Sequence, residues 1–172
     1  MGTVTKEDGF GWYRSEARPL PVLGGATCRV VVDGYDDDPH KDDFHAAIGT
    51  FLALDESVLR SATPYVFEYY QDVTAAVIAD DDLDWYVEIP GPDEVWNHIE
   101  IGYEVMVQRH GRSGLVYMSV ACGCDWEPEH GLQIVFREGR TVSKVGPYDG
   151  HLTNASAYDR DDLADVIYHR LG

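Results

Sequence analysis

The spacing of apolar residues changes period near residue 85. Before it, Phe44, Ile48, Phe51 and Leu52 fall at i, i+4, i+7 and i+8, one face of a helix that Asp42 or Asp43 is placed to cap. Asp55 is predicted to cap a second stretch with Val58, Leu59 and Ala62 inward. Thr63-Pro64 opens a third, because proline suits a first helical turn. There Tyr65, Val66, Tyr69, Tyr70, Val73 and Val77 keep a 3.6-residue repeat, an aromatic stripe read as core rather than as a ligand box. Ahead of these helices, Cys28 to Val32 is a β-branched strand, and a short strand or hairpin is expected within residues 1–26.

Beyond Trp85 the period is two. Ile99, Ile101, Tyr103, Val105 and Val107 are predicted to face one way, and Glu100, Glu104 and Gln108 the other. Leu115 to Cys122 is apolar on both faces apart from Ser119, the pattern of a central strand. Leu132, Ile134 and Phe136 alternate again, and Glu138-Gly139 turns the chain into Thr141 to Val145. At the end, Leu163, Val166, Ile167 and Leu171 share a helical face. The expected class is α+β: an antiparallel sheet, mainly C-terminal, packed by helices from the N-terminal half and by a C-terminal helix. No linker divides the chain, so residues 1–172 are read as one domain: a helix-rich half (about 1–84), a strand-rich half (about 85–155) and a final helix (about 159–171).

Charge then narrows the function classes. The 31 acids against 13 bases give a net charge of −18, of which −14 lies in residues 1–99. Nucleic-acid binding by phosphate neutralisation is excluded, since it needs clustered Lys and Arg, and an anionic membrane surface is disfavoured for the same reason. At 44% hydrophobic and 12% aromatic the chain is nonetheless a folding sequence, not an acidic tail. The acid runs include Asp36, Asp37, Asp38, Asp42 and Asp43, then Asp80, Asp81, Asp82 and Asp84. They suit either a basic protein partner or a general proteome adaptation. Three cysteines, an opening without a basic-then-apolar leader and no membrane-length apolar run point to a cytoplasmic protein.

The densest polar cluster runs from Cys122 through Gly-Cys124-Asp-Trp126-Glu127-Pro-Glu129-His130 to Gly131, between two predicted strands. Cys122, Cys124 and His130 are zinc-type ligands, with Glu129, His151 or water as a fourth. C-x-C lacks the usual two-residue gap, however, and alternate strand residues share one face, which is how reduced core cysteines also look. Cys124 with His130 and Asp125 has the residue types of a thiol nucleophile and its base. The competing structural reading has Trp126 covering the sheet end, Glu129 or His130 serving loop backbone groups and Gly131 entering the next strand. Asp149 and His151 then fix a second loop.

From Cys124 to Phe136 the sequence resembles a family of uncharacterised bacterial domains that share a W-[DE]-x-E-H-G-[LM] core. Here the core is Trp126, Glu127, Glu129, His130, Gly131 and Leu132, followed by Glu138-Gly139 and Gly146. The resemblance spans roughly residues 64–155. It implies no established activity, and some similar small acidic proteins look like immunity proteins of toxin systems. The sequence therefore reads as a binding protein without a resident cofactor, an immunity-type inhibitor of a basic toxin. The alternative is a small zinc-dependent or thiol enzyme centred on Cys122, Cys124, Glu129, His130 and His151.

Overall fold

A computed structural model describes residues 4–6, 11–79 and 86–170. Strands β1 (Val4–Lys6), β2 (Tyr13–Ser15), β3 (Arg18–Leu20) and β4 (Ala26–Val32) precede helices α1 (Lys41–Ala53), α2 (Glu56–Arg60) and α3 (Thr63–Ala79). Then come β5 (Ile99–Arg109), β6 (Val116–Cys124), β7 (Leu132–Arg137), β8 (Thr141–Gly146) and a short helix α4 (Asn154–Tyr158). The class is α+β, an eight-stranded, mostly antiparallel sheet in the order β1-β2-β4-β5-β6-β7-β8, with β3 also on β4.

One pairing departs from the antiparallel expectation: β4 and β5 are parallel, Val30 opposite Val105. Parallel neighbours need a long crossover, and residues 33–98 supply it, which is why the helices lie together on one face of the sheet. Phe44, Ala47 and Phe51 of α1 and Val66, Tyr69 and Tyr70 of α3 are buried there against Val105, Val107, Met118, Val120, Ile134 and Phe136. Asp55 caps α2, its carboxylate accepting from Ser57 N–H at 2.8 Å. The first residue before α1 is instead His40, which makes no side-chain cap. Asp42 and Asp43 fall in the first turn, where carboxylates favour the helix dipole without capping it.

Tyr103 does not join the inward row of β5. Ile101 pairs with Cys122 but Val105 pairs with Val120, so β5 carries two extra residues between them, and Tyr103 stands outward on that bulge, 75% exposed. At Gly102 an added Cβ would run into the carbonyl of Ala121, so the bulge requires glycine.

The C-terminal helix is present but sits at Asn154–Tyr158, earlier and shorter than residues 159–171. The segment after it serves the sheet edge instead. Ile167 carbonyl accepts from Val145 N–H at 2.7 Å on β8, and Tyr168 enters the helix-side core, its hydroxyl donating to Asp72 at 2.7 Å. Backbone groups committed to covering an edge strand are not available for a helix ladder.

Candidate functional site

The turn joining β6 to β7 is built by its own motif residues. Glu127 accepts from His130 N–H at 2.8 Å, its carbonyl accepts from Gly131 N–H at 2.9 Å, and His130 Nδ1 lies 3.2 Å from the same carboxylate. Gly131 has φ +66°, and a Cβ there would lie 2.5 Å from the carbonyl oxygen of Cys122. Trp126 is buried and meets Tyr69 and Tyr70 edge-on, with centroids 6.2 and 5.8 Å away. Tyr69 hydroxyl donates to Gly131 carbonyl at 3.0 Å. The motif therefore anchors the turn to α3, and it is Glu127, rather than Glu129 or His130, whose oxygens accept from the loop backbone.

The two thiols belong to the core. Cys122 and Cys124 are buried on the helix side, and burial pushes each up to about 12, so both are neutral thiols at physiological pH. Cys124 Sγ is directed at the carbonyl of Glu127, 3.6 Å away. Among the described residues, the His, Cys, Asp and Glu side chains whose ligand atoms gather within 4.8 Å of one another are Glu127, Glu129 and His130, without either cysteine. Glu129 and His130 are exposed.

Beside this turn is a cleft of about 400 Å³, lined in part by His98, Glu100, Asp125 and Glu127, with Gly123 and Gly131 also in its lining. His98 Nδ1 lies 2.9 Å from Asp125, and Asp125 N–H donates to His98 carbonyl at 3.1 Å, which joins the start of β5 to the end of β6. Among the described residues, no Lys or Arg lines the cleft. His98 and Glu100 were not legible as site residues, because only the β5–β6 pairing brings them beside the motif.

Residues 1–152 match the profile of a family described as a domain of unknown function (DUF6985). The chain belongs to this family. The DUF6985 span takes in the whole sheet, the crossover helices and the motif turn, and ends before α4. No curated protein and no solved structure matched the chain.

Asp149 and His151, also within the DUF6985 span, serve the opposite face of the sheet. Asp149 accepts from His151 N–H at 2.8 Å and from Lys144 Nζ at 2.5 Å. Lys144 is fully buried, and its ammonium also donates to Gln133 Oε1 at 2.8 Å and His151 carbonyl at 3.2 Å. Gln133 in turn donates to Ser119 at 2.8 Å. Burial lowers the Lys144 pKa while Asp149 raises it; three acceptors at one ammonium mark a structural cation. Polar residues at Ser119, Gln133 and Lys144 inside otherwise apolar strands were the sequence signal for this network.

The acidic run after β4 is largely consumed internally. Asp38 receives the Arg109 guanidinium at 2.5 and 3.0 Å, Asp43 lies 2.9 Å from it, and Asp36 pairs with Lys6 at 2.7 Å. Hydrogen bonding to Arg109 holds the Asp38 carboxyl below its ordinary range. Asp37 and Asp42 make no ion pair among the described residues. Asp80, Asp81, Asp82 and Asp84 lie outside the described residues. No helix among the described residues is long and apolar enough to cross a membrane.

Proposed function

We propose that the protein is a non-enzymatic binding protein for a basic partner, acting in a bacterial cytoplasm as an immunity-type inhibitor of a basic toxin. The observation that carries this reading is the motif cleft: Glu100, Asp125 and Glu127 line it, and among the described residues no Lys or Arg lines it to balance them. A Lys or Arg side chain of a partner would supply the missing charge, and complementary charge speeds association and makes it salt-dependent. Of the residues that an enzyme reading would use, the two thiols are neutral core groups and the backbone of His151 contacts Lys144 and Asp149, which favours binding over thiol chemistry.

The test is affinity capture from native lysate at low and high salt, with wild type beside an E100Q/D125N variant. Both substitutions are at exposed positions. A basic protein retained at low salt, released at high salt and lost by the variant is the expected result. Absence of any partner at either salt, or retention unaffected by the substitutions, would refute the proposal.

A further inference from the structure

Helix α1 sits over β5 and β6, and among the described residues no helix covers the β1–β4 end of the sheet on that side. The result is a groove of about 370 Å³. Val30, Val32 and Phe44 are its buried apolar residues, and Tyr13, Tyr35, Ile48 and Leu52 are its half-buried ones. Ile48 and Leu52 belong to the same helical stripe as Phe44 and Phe51 but stay only partly buried. Arg18 also lines the groove, and its guanidinium has no hydrogen-bond or ion-pair partner among the described residues. Glu16, which lines it too, makes no ion pair with Arg18. In a chain where most arginines hold a carboxylate, an unpaired one beside an apolar groove selects an anion with an apolar body.

We infer that this groove binds an amphipathic organic acid, a medium-chain alkyl carboxylate whose chain lies along Ile48, Leu52 and Val30 and whose carboxylate pairs with Arg18. The guanidinium fork matches a carboxylate bidentately, and the apolar wall rewards each buried methylene.

Calorimetric titration with the straight-chain acids from hexanoate to tetradecanoate, below their micelle concentrations, tests the assignment. The expected result is one-to-one saturation that tightens about fourfold per added methylene until the groove is full. Dodecanoate binds more tightly than dodecanol, and R18Q erases that difference. A17W closes the groove from an exposed position, so binding is lost while the melting temperature holds. Lack of saturation, equal affinity for acid and alcohol, or binding that survives A17W each overturns the inference. So does a concentration-dependent dimer that A17W dissociates, which would give the groove to a second copy. Saturation seen only after F10A would give it to the chain's own residues 7–10, and overturns it equally.

Discussion

Tyr69 on α3 and Gly131 at the foot of β7 are 62 positions apart in sequence, yet the tyrosine hydroxyl donates to the glycine carbonyl at 3.0 Å inside the core. That bond, with Trp126 lodged against Tyr69 and Tyr70, fixes the motif turn to the helix layer. Y69F leaves a buried carbonyl unsatisfied and is expected to cost about 1–2 kcal/mol in urea unfolding. W126A, which empties a core site, is expected to cost about 3–5 kcal/mol. W126F should cost clearly less, because among the described residues the Trp126 indole N–H has no acceptor to lose.

The Lys144–Asp149 pair is asymmetric, with side chains 1% and 31% exposed. D149N strands a buried ammonium, whereas K144M removes the charge and leaves a carboxylate that reaches solvent. Denaturant unfolding should therefore rank D149N below K144M, with D149N costing about 2–3 kcal/mol. The reverse order would refute the structural-cation reading.

Glu138 and Gly139 both have positive φ, +52° and +66°, in the tight turn between β7 and β8, and this turn abuts α1. An added Cβ at Gly139 would meet the backbone carbonyl of Ala47. G139A is expected to destabilise by more than about 1 kcal/mol. G111A, at a glycine with open space around it, should stay within about 0.5 kcal/mol of wild type.

Alkaline stability should report the buried thiols. Their folded values near 12 lie above the ordinary 9.0, so the folded state holds protons that the unfolded chain releases. Their contribution is complete below pH 9 and is lost as pH rises toward 12. Lys144 acts in the opposite sense, since its lowered folded value makes stability rise as pH approaches 10.5. A C122A/C124A variant isolates the thiols: its unfolding free energy should fall less than that of wild type between pH 8.5 and 10.5, values chosen about the ordinary thiol range. Native thiols should also resist a disulfide reagent until denaturant is added.

Arg109 ties the β4–α1 loop to the end of β5 through Asp38, Asp43 and the carbonyl of His40. R109K keeps the charge but not the fork, so amide exchange over residues 34–43 should accelerate. Unchanged protection there would show that the loop holds its own shape.

Much of the architecture was legible because local periodicity reports which face a residue presents. The stripes of α1 and α3, the Asp55 cap and the central position of β6 follow from spacing alone. The outward turn of Tyr103 was not legible, since a bulge inserts residues relative to a partner strand and leaves the strand's own alternation intact. The parallel β4–β5 pairing was hidden for a related reason: periodicity carries no information about strand direction.

The motif illustrates the same division. Cys122 to Gly131 stood out in sequence as the densest chemistry in the chain, and the structure divides it between a core, an anchoring turn and one wall of an acidic cleft. The opposite wall comes from His98 and Glu100, through pairing between β5 and β6. The excess of acid was likewise plain from composition, but which carboxylates are neutralised was decided by Arg109, Lys6 and Lys144 arriving from distant segments. Sequence determined the elements, their buried faces and the net charge, because those depend on neighbours within a few residues. Partnership of charges, the cleft and the groove beside α1 were decided by tertiary structure, because each depends on chain segments that only the crossover and the strand order bring together.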